Sequence, residues 1–327
     1  MQNELIPGIS MVLPVHGEAP FFSNTIASLK EIQYQNLEIV VVLDRPSTRT
    51  EETARSFSKS DSRVTLIDSA IPGIVEALNL GISRARHSYI GRIDSDDLLS
   101  PSRLQEQMNF LQTNPDTNVL GTQLTLINSD NHEIGTSSYP TKDWQIRINL
   151  EFQNCIAHPS VLFRKDAFNL AGGYRKFFTG AEDYDLWLRM KNFGRINIIN
   201  KRLTSYRISE TQYTRDPSSN QELIDSAVRV NNFLEQKGIS KGLPDKICEK
   251  DEIREYVQAR FEEIRIQFPF EYRKLVAAKE LNAIFRTKNL KNQRESILAI
   301  ATLVLRHPFT ISRWAILKLL TIRESTD

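Results

Sequence analysis

The chain has 327 residues, 40% of them apolar and 25% charged. That length sets an expectation of about two domains, and the composition excludes a wholly disordered, collagen-like or Pro-rich chain. Lys and Arg number 42 against 40 Asp and Glu, for a formal net charge of +2, without the basic excess that marks a nucleic-acid binder.

In chain order, residues 9–15 form a short apolar strand pattern, and Phe22, Ile26 and Leu29 then recur at helical spacing. Residues 37–43 are a β-branched run with no polar alternation after Glu38, as expected of a strand covered on both faces in a parallel sheet. A third strand is predicted over 63–67. Ile74, Leu78, Ile82 and Ala85 define a helix face, and residues 89–93 a fourth strand. Pro101 opens a further helix, with Ser100 as its cap and Leu104, Met108 and Leu111 on one face. This order predicts a doubly wound α/β domain.

Two more strands, 119–127 and 133–139, flank a turn-rich segment at residues 129–131. Helices are predicted at 144–152, at 165–170 (ended by Gly172 and Gly173) and at 182–191. Short strands are predicted at 160–163, 195–199 and 203–207. Beyond Pro217 the pattern is almost wholly helical. We therefore expect a catalytic domain over 1–216 and a helical region over 217–327.

Cys155 and Cys248 stand far apart with no CxxC partner, which excludes a Cys-rich zinc site and fits a reducing compartment. The first ten residues carry no leader pattern. The longest apolar stretch, 297–305, is well short of the roughly 20 residues that span a bilayer. The expected location is cytoplasmic. A basic amphipathic segment, 297–323, carries Trp314 and is expected either to contact an anionic membrane face or to pack as core.

Three acidic groups suggest chemistry. Asp94-Ser95-Asp96-Asp97 follows a buried strand and precedes a helix, and in open α/β sheets ligands bind at the carboxyl ends of strands. Asp94 and Asp96, two apart in extended chain, would point the same way and suit a hard divalent cation with phosphate oxygens. The competing reading is a solvated turn in which Asp97 or Ser100 caps the helix. Glu182-Asp183 opens a helix, where acidic residues are favoured by the dipole alone; otherwise one of the two is a general base. Asp44 ends the buried strand 37–43 and could accept a nucleobase N–H, or simply open a turn before Pro46. His16 reads as a loop residue, and His158, before Pro159, as structural.

The combination is more specific than its parts. Residues 10–15 with Glu18, the LEIVVVLD run ending at Asp44, Ala77-Leu78-Asn79-Leu80-Gly81, and Gly91-Arg92-Ile93-Asp94-Ser95-Asp96-Asp97 resemble the first half of family 2 glycosyltransferases, although His16-Gly17 stands where the family often reads Tyr-Asn. His158-Pro159-Ser160, Gly172-Gly173-Tyr174 and Glu182-Asp183-Tyr184-Asp185 resemble the second half. The likeness covers residues 9–210. It implies a GT-A fold, an α/β Rossmann-like nucleotide-sugar-binding domain with a mixed, mostly parallel sheet. It also implies an inverting transfer from a nucleotide-diphosphate sugar, expected to be a UDP-sugar, to a glycan or lipid-linked acceptor in polysaccharide synthesis. By the same resemblance, Pro14, His16, Glu18 and Asp44 line the nucleoside pocket and Arg92 approaches the phosphates. Asp94 lies at the ribose and the metal, Asp96 binds the Mn²⁺ or Mg²⁺, and Asp183 is the base. Ser209 stands where many members carry a His, and the Q/R-x-x-R-W motif of processive synthases is missing, so one sugar per encounter is expected.

The rivals are a DxD phosphohydrolase, a sugar nucleotidyltransferase and a non-catalytic glycan-binding module. The DxD ends the fourth strand instead of the first, which disfavours the phosphohydrolase. No Gly-rich phosphate loop supports the nucleotidyltransferase. Retention of Asp94, Asp96 and Asp183 together speaks against a degenerate binding module.

Overall fold

The computed structural model describes residues 6–208, 221–239 and 250–269, together with positions 243 and 276. The expected boundary at Pro217, Ser209, Cys248 and the segment 297–323 lie outside the described residues. By its internal contacts the chain divides into two compact units, Met1–Arg147 with Cys155–Ser219, and Ile148–Asn154 with Asn220–Asp327.

In the first unit, β1 (Ile9–Gly17), α1 (Phe22–Lys30), β2 (Leu37–Pro46), α2 (Thr48–Ser60), β3 (Val64–Asp68), α3 (Ile74–Arg84) and β4 (Tyr89–Arg92) alternate as a doubly wound half. Then come β5 (Leu98–Leu99), α4 (Arg103–Thr113), β6 (Thr117–Ile127), β7 (Glu133–Thr136), α5 (Asp143–Leu150, whose residues from Ile148 on are assigned to the second unit), β8 (Leu162–Arg164), α6 (Lys165–Leu170), α7 (Glu182–Met190) and β9 (Arg195–Arg207). The sheet runs β3-β2-β1-β4-β8-β6-β9-β5, with β7 paired to β6. Strands β1 to β4 pair in parallel, as do β6 and β9, while β8 is antiparallel to both its neighbours.

The β-branched run becomes a central strand for a physical reason. Val40, Val41 and Val42 are fully buried because helices cover both faces. Ile9, Met11, Leu13 and Val15 pack with Phe22, Ile26 and Leu29 of α1 and with Phe57 of α2. Val12 and Val42 face Gly81 of α3 on the other side.

Three expectations are corrected. Residues 48–60 form a helix that polar composition concealed: only Thr50, Ala54 and Phe57 are buried, and Ser47 caps it by accepting from Thr50 N at 3.2 Å. The two strands expected at 195–199 and 203–207 are one strand, β9, whose ladder with β6 shifts register near Thr122 and Gln123. Helix α4 begins at Arg103, and its N-cap Ser102 makes no side-chain cap bond.

The second unit contains α8 (Gln221–Gln236) and α9 (Lys250–Gln267). They meet through Val230, Leu234 and Ile264, and Tyr256 OH donates to Asn231 Oδ1 at 3.0 Å. No helix among the described residues is long and apolar enough to cross a membrane.

Candidate functional site

The polypeptide leaves β4 at Arg92 and turns over Asp94–Asp97, with the Asp97 N–H donating to Asp94 O at 3.3 Å. This turn, and not extended alternation, gathers the acidic groups. One carboxylate oxygen from each of Asp94, Asp96 and Asp97 lies within 4.8 Å of the others. The capping expectation is corrected too. Asp97 is fully buried, and its Oδ1 accepts from Arg207 N at 2.8 Å. Ser100 Oγ meets Ser102 Oγ instead of a helix amide.

Two arginines build this turn, Arg103 a few residues on and Arg207 far away in sequence. Arg207, ending β9, donates from Nε to Asp96 O at 2.8 Å and from Nη2 to Asn131 Oδ1 at 2.6 Å. Its guanidinium lies 4.2 Å from the centre of the Phe21 ring, a cation–π contact that covers the charge. Arg103 of α4 is fully buried and donates to the carbonyls of Arg92, Pro159 and Val161 at 3.1, 2.7 and 3.0 Å. It thereby ties the end of β4 to the segment leading into β8. Burial pushes Arg103 down to about 9.

Burial pushes the Asp96 carboxyl up to about 6, with the Asp94 charge adding to the effect. Asp97 is held well above the carboxylate range by burial and by both neighbours. Arg92 is 4% exposed and pairs through Nη1 with Asp94. Burial opposes its charge, but Asp94 and nearby acids keep its pKa above the ordinary value. Its Nε has no hydrogen-bond partner among the described residues. Crowded, partly desolvated carboxylates destabilise one another, and hard oxygens at this spacing fit a divalent cation. Asp94 and Asp96 are the accessible members of the set.

The N-terminus of α7 carries the second acidic group, Glu182-Asp183. Glu182 is buried, and its Oε2 accepts from Gly180 N at 2.7 Å. Burial raises its pKa, and the charges of Arg92 and Asp94 also act on it. His158 lies beneath, with Nδ1 3.9 Å from Glu182 Oε1 and Nε2 2.7 Å from Tyr174 OH. Burial pushes the imidazole well below its ordinary range, so it is neutral here. Asp183 is half-buried, with Oδ1 accepting from Tyr184 N at 2.7 Å. Of the two candidate bases, Glu182 is therefore a buried support and Asp183 the more accessible carboxylate. The loop before α7 is fixed by Asp185, which accepts from Arg175 Nε at 3.0 Å and from Arg189 Nη2 at 2.6 Å.

The nucleoside candidates gather at the ends of β1 and β2. Pro14 is buried opposite Val42, and His16 pairs with Asp44 in the ladder. His16 Nδ1 lies 2.9 Å from Asp44 O and 3.1 Å from its Oδ2. That same Oδ2 accepts from Gly73 N at 3.0 Å, and Oδ1 accepts from Arg45 Nε at 3.2 Å. Asp44 thus serves the protein's own donors, two of which, His16 and Arg45, are largely exposed and displaceable. Glu18 stands exposed beyond Gly17.

Sequence reasoning missed Asp97, Arg103 and Arg207 as builders of the turn. Asp97 stands in the motif itself. The two arginines act through tertiary bonds that no local pattern carries.

An α/β domain that crowds carboxylates at the end of a parallel strand has the architecture of the GT-A glycosyltransferases. Residues 10–169 match the family model described as Glycosyl transferase family 2. It is 29% identical over 247 residues to the O-antigen biosynthesis glycosyltransferase WbnJ of Escherichia coli, covering 74% of this chain and 95% of that one. It is 30% identical over 171 residues to the amylovoran biosynthesis glycosyltransferase AmsE of Erwinia amylovora, covering 51% and 63%. Among solved structures, S. aureus TarS 1-349 in complex with UDP-GlcNAc superposes with a TM-score of 0.56 at 14% identity, over 85% of this chain and 80% of that one. Mannosyltransferase PcManGT from Pyrobaculum calidifontis, in complex with GDP-Man and Mn²⁺, gives 0.54 at 16% identity, over 99% and 87%. At such identities the structural likeness speaks to the fold.

Proposed function

We propose that this glycosyltransferase moves one sugar from a UDP-sugar to a hydroxyl of a glycan or lipid-linked acceptor, with inversion, in the assembly of a surface polysaccharide. The observation that carries this reading is the acidic turn, where Asp94, Asp96 and Asp97 each bring a carboxylate oxygen within 4.8 Å of the others. The O-antigen and amylovoran relatives favour a polysaccharide product. Residues 1–216 form the catalytic domain, and 217–327 a helical region.

Pro14, His16, Glu18 and Asp44 receive the nucleoside, and Arg92 lends its charge to the phosphates. Asp94 and Asp96 hold Mn²⁺ or Mg²⁺, which when bound supplies positive charge to the leaving diphosphate. Asp183 accepts the proton of the acceptor hydroxyl as its oxygen bonds to the anomeric carbon. The bond from that carbon to the diphosphate breaks, and the nucleoside diphosphate departs with the electron pair. One carboxylate on the acceptor side suffices for a single displacement.

The test is the anomeric configuration of the product by NMR, with Asp183→Asn and Glu182→Gln assayed alongside. Inversion, with turnover lost in Asp183→Asn and donor binding kept, supports the reading. A retained configuration, or an active Asp183→Asn beside a dead Glu182→Gln, contradicts it.

A further inference from the structure

Two motifs visible in the sequence, Ala77-Leu78-Asn79-Leu80-Gly81 and Gly172-Gly173-Tyr174, have no part in the proposed chemistry. The fold nevertheless brings them together. Asn79 stands half-buried on α3, 95 residues before Tyr174. Its Nδ2 donates to Tyr174 O at 2.9 Å, and its Oδ1 accepts from Tyr174 N at 3.1 Å. One side-chain amide thus satisfies both backbone groups of Tyr174, which lies outside any strand. The pairing needs a donor and an acceptor on one short side chain, which only an amide supplies. Gly173 makes the approach possible. Its φ is +71°, and a Cβ there would lie 3.1 Å from Asn79 Oδ1 and 3.3 Å from the Phe168 ring.

The platform under this clamp is fixed. Helix α3 packs Gly81 against Val12 of β1 and Val42 of β2, and the amide of its N-cap Gly73 donates to Asp44 Oδ2 at 3.0 Å. Glu76 of α3 pairs with Lys176 Nζ at 2.8 Å, a second tie to the same loop. The other side of the loop is bonded to α7. Arg189 donates from Nη2 to Gly173 O at 2.8 Å and from Nη1 to Ala171 O, and Arg175 Nε donates to Asp185 Oδ2 at 3.0 Å. The Tyr174 side chain carries the contact further. Its OH lies 2.7 Å from His158 Nε2, and the His158 ring meets Trp187 of α7 edge-on at 5.9 Å. Residues 171–176 are therefore bonded to α3 and to α7, and Asn79 is the α3 side chain that holds their backbone.

We propose that Asn79 is a positioning residue for the transfer: through Tyr174 it fixes the first turn of α7, and with it the carboxylate of Asp183. The inference rests on the reading of Asp183 as the base. Asp183 is the second residue of α7, so a loop that lets α7 tilt displaces it directly. A base must come within hydrogen-bond reach of the proton it accepts, and a misplacement of about 1 Å caused far from the chemistry costs on the order of 100-fold in rate. The nucleoside candidates Pro14, His16 and Asp44 belong to β1 and β2, which do not depend on the clamp. Loss of Asn79 therefore lowers turnover and leaves nucleotide binding in place.

The test reads hydrolysis of a nucleotide sugar without acceptor, water taking the place of the acceptor hydroxyl. UDP-GlcNAc, UDP-glucose, UDP-galactose and GDP-mannose are offered to the wild type with Mn²⁺. The fastest is then used with Asn79→Asp, Asn79→Leu, Asp183→Asn and each double variant. Melting curves establish that each is folded, and calorimetric titration with the matching nucleoside diphosphate and Mn²⁺ reads binding separately. Expected is a kcat lowered about 10- to 100-fold in both Asn79 variants, with nucleoside diphosphate affinity kept within about twofold. In the Asp183→Asn background the Asn79 changes should cost less than about twofold more, because a base already removed cannot be misplaced. A merely structural role would lower both backgrounds alike. Unchanged kcat in the folded Asn79 variants overturns the proposal. So does a full further loss in the Asp183→Asn background, or a nucleotide affinity that falls in step with kcat. Where neither Asn79 variant folds, Tyr174→Phe goes through the same cycle, since it removes only the hydroxyl beside His158. It should lower kcat about threefold or more in the wild-type background alone, and any other pattern overturns the proposal. A wild type that hydrolyses none of these donors strikes the transferase reading, and an Asp183→Asn as active as the wild type strikes the base assignment. The proposal falls with either, and both are recognisable before any Asn79 variant is made.

Discussion

Asp96 is ionised at neutral pH at a cost, because burial and the Asp94 charge have raised its pKa to about 6 from an ordinary 3.8. The folded state therefore binds this proton more tightly than the unfolded chain. Its contribution to stability is fully present below the unfolded value and is lost as pH rises through about 6. Asp97 shifts in the same direction. A divalent cation on the cluster reverses the balance by favouring the ionised carboxylates. Thermal melts should then show a larger Mn²⁺-induced rise in Tm at about pH 7.5 than at about pH 5.5, and Asp96→Asn should abolish most of that difference. Equal shifts at both values would show that the cluster is not where the metal binds. Asp183 makes a sharper kinetic demand. Asp183→Asn keeps size and removes basicity, so kcat should fall by roughly 10²–10⁴ while the affinity for donor stays near wild type. An unchanged kcat would remove Asp183 from the chemistry.

Elements place these residues, and their packing leaves little slack. Helix α3 crosses β1 and β2 at Gly81, where a Cβ would lie 2.7 Å from Val12 Cγ1 and 2.9 Å from Val42 Cγ2. Alanine is the better helix former by about 1 kcal/mol, but forcing a methyl against two buried valines costs about 1–3 kcal/mol. The packing effect should win, and Gly81→Ala should lower the urea midpoint. A raised midpoint would show that the sheet yields. Before α7, Asp185 is buried between Arg175 and Arg189, which are 22% and 11% exposed. Asp185→Ala leaves two poorly solvated guanidiniums and should cost about 3 kcal/mol, with activity falling as the α7 N-terminus loosens. Stability within about 0.5 kcal/mol of wild type would mean that water replaces the carboxylate.

Legibility in the sequence also varied by element. The buried run of β2 was readable because burial on both faces leaves no polar alternation. Helix α2 was not, since only three of its side chains are buried and its exposed face writes no apolar stripe. Strand β9 read as two because polar residues 200–202 interrupt it, whereas its ladder with β6 carries it across. The acidic motif was visible and its turn was not. What folds Asp94, Asp96 and Asp97 together is Arg207, bonded across more than a hundred residues of chain. The alternatives left open at Glu182-Asp183 narrow once Glu182 is seen accepting the Gly180 amide beneath the surface.

At the scale of the whole molecule, one topological fact organises the site. Because β1, β2 and β4 run parallel and adjacent, their carboxyl ends share one edge of the sheet, and His16, Asp44 and Asp94 follow from it. The antiparallel return through β8 then leads through the Gly172-Gly173 loop to α7, whose Glu182 feels the charges of Arg92 and Asp94. The measurement that bears most directly on this account is release of nucleoside diphosphate from a nucleotide sugar, followed with Mn²⁺, with EDTA, and after Mn²⁺ is restored, for wild type and for folded Asp96→Ala. The account predicts release that EDTA stops and Mn²⁺ restores in the wild type, and none in Asp96→Ala under any of the three conditions. Release that persists in EDTA, or an Asp96→Ala as active as the wild type, would contradict it.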